Sequence, residues 1–205
     1  FSDKLKQAIR GYLSDMTVQR TAAGLHGFKD WQETAEKLKN LPHVRNVAPY
    51  IQGMGLMKFV GQEHARDVAF RAISPEREAR VTDMEQYLKG GTTLEHLKET
   101  FQRRGGTVGA CFIGKPVADA IGLKFPRDRG RIEVALFTAT SGLKWRVKIF
   151  VINGVFKTGR YDYDAGAVVL PLQIATNRAP TDGGASGRTL HQANCPNPPH
   201  ARPTN

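Results

Sequence analysis

The chain has 205 residues, 40% of them hydrophobic and 24% charged, which suits one medium globular domain or two small ones with a real core. Thirty Lys and Arg face 19 Asp and Glu, a formal net charge of +11 that fits an ordinary basic surface, nucleic acid, an anionic membrane surface or an acidic partner. The basic residues form no run of five or six, which excludes a dense polybasic tract, and no stretch approaches the roughly 18 apolar residues of a membrane-spanning helix.

Phe1, Leu5, Ile9 and Leu13 recur at helical spacing, so residues 1–13 read as a short helical stub. The first residue is not methionine, which fits a processed or excised piece. Asp15–Arg20 alternates as a strand, broken by Gly24 and Gly27. A helix is predicted from Asp30 to Leu41, with Asp30 as N-cap, Glu33 three residues on, Pro42 closing the far end, and Trp31, Ala35 and Leu38 on its apolar face.

Val44–Val60 is a long extended segment in which Gly53 and Gly55 predict a bulge or bend, and Arg66–Ile73 is a second strand. Gly61–Gln62 between them marks a hairpin. Met16, Met54 and Met57 fall in these strands and read as core filler in preference to a ligand surface. Short helical turns follow: one capped at Ser74 before Pro75, one opening at Thr82 with Glu85 at capping-box spacing and ending at Gly90–Gly91, and one over Leu94–Phe101. Arg103–Gly106 is a basic turn.

Gly109–Lys115, GACFIGK, has the spacing of a phosphate-binding loop, but Pro116 stands where that motif needs Ser or Thr for magnesium. Its intervening residues are apolar and strand-like, so the segment reads as a strand, a glycine turn and a short helix ending at Gly122. Arg131–Thr138 is a strand, Ser141–Gly142 a hairpin tip, and Arg146–Leu172 carries the densest strand signal, interrupted by the aromatic–acidic cluster TGRYDYD. Asp162 and Asp164 would face one way on an extended backbone, yet a turn-stabilising role is the better reading than acid–base chemistry. Residues 177–205 are rich in Pro and Gly and nearly devoid of large apolar side chains, which predicts disorder. Cys111 reads as a core residue, and Cys195 with His191 and His200 lacks the partners of a metal site. No catalytic constellation, metal site or cofactor site is read from the residues.

Several segments together resemble the extracytoplasmic domain of ABC-transporter permeases of the MacB/LolC/LolE type: FSDKLKQAIRG at Phe1–Gly11, NVAPYIQGMGLM at Asn46–Met57, AISP at Ala72–Pro75, Gly109–Gly122, and VINGVFKTGRYDYD at Val151–Asp164. The resemblance implies an α+β fold, with a βαβ-like porter-type subdomain and an inserted β-rich subdomain at about 107–160, within a periplasmic domain at 14–176. It implies no catalysis by this chain, ATP hydrolysis on a separate subunit, a partner permease, and membrane helices flanking the domain. A lipoprotein cargo, a soluble carrier or an efflux adaptor would be its extracytoplasmic partner, and nucleic acid is disfavoured. Gly154, Thr158, Gly159, Tyr161 and Asp164 are the structural motif so implied. By position, Ser141, Gly142, Leu143, Lys144 and Trp145 at the hairpin tip are the candidates for touching a partner. The family continues beyond VVLPLQIA with a strand and a helix, where this chain has its Pro/Gly-rich tail.

Overall fold

The computed structural model describes residues 14, 16–18, 31–103, 106–138, 144–173 and 189–194. Among these, nine strands share one hydrogen-bonded sheet in an α+β arrangement. They are β1 (Met16–Val18), β2 (Asn46–Phe59), β3 (Ala65–Ile73), β4 (Thr100–Arg103), β5 (Gly106–Gly114), β6 (Arg131–Thr138), β7 (Lys144–Phe156), β8 (Ala167–Pro171) and β9 (Thr189–Asn194). A helix over Trp31–Lys39 buries Ala35 against the start of β2, as its apolar stripe predicts.

The pairings close on themselves. β2 pairs with β3, β3 with β8, β8 with β5, β5 with β7, β7 with β6, and β6 with β2 again. Two of these contacts, β3–β8 and β5–β7, are parallel. The hairpin between β2 and β3 keeps one register from Tyr50↔Ile73 to Lys58↔Ala65, and Gly61 turns its loop at φ +94°.

The side chains inside the ring form one apolar cluster that includes Met57, Phe70, Cys111, Ile113, Ile132, Phe150, Ile152 and Leu170, plugged by Val117 and Ala118 of the helix Lys115–Ala120. A second cluster lies on the other side of the sheet, where Ile73, Phe112, Phe156 and Val169 meet Met84, Leu88, Leu94 and Leu97 from the short helical turns. Strands covered on both faces need apolar residues at successive positions, which is why ACFIG in β5 and AVVLP in β8 read as continuous apolar runs.

Several expectations are corrected. Gly53 and Gly55 make neither bulge nor break in the β2–β3 ladder. They are small for packing: a Cβ at Gly53 would stand 2.8 Å from the Phe70 ring, and one at Gly55 2.7 Å from the carbonyl oxygen of Ala135. The irregularity lies instead between β5 and β7, where Cys111 pairs with Ile152 and Phe112 with Gly154, leaving Asn153 as the extra residue. Asn153 is buried, and its Nδ2 donates 2.8 Å to the carbonyl of His96.

The helix predicted from Thr82 is a single 3₁₀ turn at Met84–Tyr87, because the Thr82 hydroxyl turns back to Glu78 in place of capping. The helix predicted over 94–101 ends at Lys98, and Phe101 lies in β4, the antiparallel neighbour of β5. Met57 is fully buried, but Met16 and Met54 are exposed, since their positions on β1 and β2 face away from the core. Within the tail predicted to be disordered, Thr189–Asn194 pairs with β1 and with Asn46–Ile51, meeting the edge of β2 that β6 does not reach. The stub at 1–13 lies outside the described residues.

Candidate functional site

Two buried polar clusters stand out among the described residues: the corner after β7, and an ion pair between β3 and the turn that follows it.

The corner is built on Asp164. Tyr161–Asp164 is one helical turn, so Asp162 and Asp164 diverge: Asp164 is buried and Asp162 exposed. The expectation that both carboxylates share a face holds only for an extended backbone. Asp164 reaches back across the turn: Oδ1 accepts the Thr158 N–H at 3.0 Å and the Thr158 hydroxyl at 2.8 Å, and Oδ2 accepts the N–H of Gly159 at 3.1 Å. Gly159 takes φ +88°, a backbone that favours glycine. A buried carboxylate held by two backbone amides and a hydroxyl fixes the direction of the chain as it leaves β7. Tyr161 is 72% exposed, and its carbonyl accepts the N–H of Ala165 at 2.8 Å, closing the turn. Gly154 lies beside Phe112, and any side chain there would run into the Phe112 ring.

The near-match to a phosphate-binding loop is absorbed into the same architecture. Gly109–Gly114 is buried strand whose backbone is spent on β7 along one side and on β4, Glu99 and β8 along the other. The amino group of Lys115 sits 2.6 Å from Asp119 one helical turn on. Neither the backbone nor the lysine is arranged around a phosphate.

Arg71 and Glu78, 5% and 0% exposed, form a buried pair with Nη2 2.9 Å from Oε1. The Arg71 guanidinium also lies over the Tyr50 ring, 4.7 Å from its centroid, and Thr82 donates its hydroxyl to Glu78 at 3.0 Å. Desolvation pulls the basicity of Arg71 down, but the charges of Glu78 and Tyr163 and the hydrogen bond to Glu78 outweigh it and hold it above its ordinary value. An arginine so held is a permanent cation with a structural task, fastening the turn at Pro75–Glu78 to β3.

Of the hairpin-tip candidates, Ser141, Gly142 and Leu143 lie outside the described residues. Lys144 and Trp145 open β7, their backbones paired with Thr138 and Phe137 of β6. Thr138 and Lys144, the paired described ends of β6 and β7, thus close one end of that ladder, and the Asp164 corner follows the opposite end of β7. Sequence reasoning passed over the Arg71–Glu78 pair; the one available signal was a charged residue at a position where β3 otherwise buries apolar side chains. Among the described residues, no cluster of three or more His, Cys, Asp or Glu side chains could hold a metal ion, and no helix is long and apolar enough to cross a membrane.

By its alignments and its fold, the chain resembles the extracytoplasmic domains of ABC-transporter permeases of the MacB/LolC/LolE type. It is 25% identical over 174 residues to the lipoprotein-releasing system transmembrane protein LolC of Xylella fastidiosa strain Temecula1, an alignment covering 84% of this chain and 38% of that protein. It is 24% identical over 170 residues to LolC of Neisseria meningitidis serogroup B, covering 83% and 39%. The chain therefore spans well under half the length of these relatives. No protein-family model matches it.

Two solved structures share the fold. The extracellular domain of the noncanonic ABC-type transporter YknZ from Gram-positive bacteria superposes with a TM-score of 0.50 at 15% identity, over 90% of this chain and 80% of that one. The periplasmic region of MacB from Actinobacillus actinomycetemcomitans does so with a TM-score of 0.50 at 14% identity, over 95% and 80%.

Proposed function

We propose that this chain is a non-catalytic extracytoplasmic domain of an ABC-transporter permease of the lipoprotein-releasing type. The observation that carries this reading is the alignment with LolC over 84% of the chain. In this reading a separate subunit hydrolyses ATP, a partner permease completes the transporter, and membrane helices of the full protein hold the domain outside the inner membrane, on its periplasmic face. The domain's work is mechanical: motion of the membrane subunits is passed to a lipoprotein cargo or to the soluble carrier that receives it. That contact is assigned to Ser141–Trp145, which in sequence join the paired ends of β6 and β7, while the Asp164 corner follows the other end of β7.

The test is reconstitution of the full permease with its ATPase subunit and partner permease in liposomes containing a labelled lipoprotein. ATP-driven release to a soluble carrier is expected. Lys144→Glu with Trp145→Ala should cut release while ATP hydrolysis continues. Export of amphiphilic drugs through an adaptor, with no lipoprotein release, would replace this reading with the efflux one.

A further inference from the structure

A cleft of about 360 Å³ opens between the helix Lys115–Ala120, the end of β7 and the loop at 123–125. Its walls are the buried Ala118 and Val155 of the apolar cluster inside the strand ring, with Leu123 and Phe125 packed half-buried against it. Three lysines stand around it, Lys89, Lys115 and Lys157.

Two of them are brought together by one local device. Leu88 and Phe156 form an isolated antiparallel bridge, flanked by Lys89 N–H to the Val155 carbonyl at 2.8 Å and Lys157 N–H to the Tyr87 carbonyl at 2.9 Å. Leu88 and Phe156 point into the second apolar cluster, so their neighbours Lys89, Val155 and Lys157 face the other way, onto the cleft. Asp119, the one carboxylate on the lining, is taken by Lys115 at 2.6 Å. Among the described residues, neither Lys89 nor Lys157 is ion-paired. Two uncompensated ammonium groups on the rim of an apolar depression make a site with two halves. One attracts an anion, and the other removes a short apolar group from water.

We propose that this cleft binds an amphiphilic anion: a phosphate or carboxylate headgroup held between Lys89 and Lys157, with its apolar chain laid against Leu123, Phe125 and Val155. A free amphiphile and a lipid headgroup in a membrane present the same chemistry. The site follows from the cleft and its lysines alone and does not depend on the permease reading.

The experiment is titration calorimetry of this chain at low salt with dodecyl phosphate below its micelle concentration, beside inorganic phosphate and uncharged dodecyl maltoside. One site is expected, with both comparators weaker. Lys89→Gln with Lys157→Gln should weaken dodecyl phosphate about tenfold, while the double Arg variant keeps it and Lys37→Gln, on the helix Trp31–Lys39 that does not line the cleft, changes nothing. Thermal melting of each variant separates lost binding from lost fold.

Equal binding by the double Gln variant, or by dodecyl maltoside, overturns the anionic half. Equal binding of inorganic phosphate overturns the apolar half. Sedimentation with phosphatidylglycerol vesicles then assigns the source. Lysine-dependent co-sedimentation supports the site with a membrane lipid as its ligand, and calorimetric binding without co-sedimentation supports it with a free amphiphile.

Discussion

A Cβ placed on Gly114 would overlap the backbone carbonyl of Asp164. The last residue of β5 and the last residue of the turn Tyr161–Asp164 thus touch through bare backbone, 50 positions apart in sequence, and the corner after β7 is seated directly on the strand that precedes the helix Lys115–Ala120. Neither neighbour can yield, since both are main chain. Gly114→Ala should cost about 3 kcal/mol through overpacking. Gly166→Ala, whose nearest new neighbour is 3.8 Å away, should be nearly neutral. Chemical denaturation of the two variants side by side checks the contrast; equal stabilities would refute it.

The Asp164 carboxylate accepts from two backbone amides and one hydroxyl in a buried site. Asp164→Asn keeps the shape but turns an amide donor toward donors. A loss of about 2 kcal/mol is expected, with larger losses for Ala. Thr158→Val removes only the hydroxyl bond and should cost about 1 kcal/mol. Urea melts of the three variants give the order.

The Arg71–Glu78 pair should show strong coupling. Either partner removed alone leaves a buried charge, so Arg71→Met or Glu78→Leu should each destabilise by about 3–5 kcal/mol, whereas the double variant should recover much of that loss. A double-mutant cycle measures it, and additive single effects would mean that the two groups do not interact.

Tyr50 is 5% exposed, and desolvation is the largest influence raising its phenol above the ordinary value of 10.0, against a hydrogen bond with Thr17 and the charge of Arg71, which lower it. A folded-state value above the unfolded one means that the stability carried by the neutral phenol is complete below pH 10 and is lost as the pH rises through the raised folded value. Ultraviolet titration of the five tyrosines should therefore show one late, unfolding-linked component. Tyr50→Phe should abolish that component.

Cys111 is fully buried, and desolvation alone pushes its thiol well above the usual range. Iodoacetamide at neutral pH should leave Cys111 unmodified in the folded chain and label it in denaturant. Peptide mapping by mass spectrometry reads the site directly. Rapid native labelling would show that β5 opens.

Much of the sheet was legible because local signals agreed. The β2–β3 hairpin has a glycine loop between alternating strands, and β5 is a compact apolar run ended by Gly114, Lys115 and Pro116. The errors came where a residue's reason lay far away in sequence. Gly53 and Gly55 resemble a bulge until Phe70 and Ala135 are brought against them. The actual irregularity, at Asn153, is set by the match between two strands about 40 residues apart, and a match of that kind leaves no local mark. Phe101 continued a helical stripe on paper, yet pairing with Val108 across β4–β5 overrode it. Likewise, Lys89 and Lys157 line one cleft because Leu88 bridges to Phe156. The TGRYDYD segment stood out in sequence, but which of its carboxylates is buried depended on its forming a helical turn.

The closure of β2, β3, β8, β5, β7 and β6 into a ring has a mechanical consequence. An open sheet yields to a pull by losing its outermost ladder and then the next. Within a ring there is no outermost ladder: a load applied at any strand divides between two seams, and parting one seam leaves the circuit spanned by the others. Such a body moves as a whole when pushed at one end, delivering displacement to the other end without spending it on internal slack.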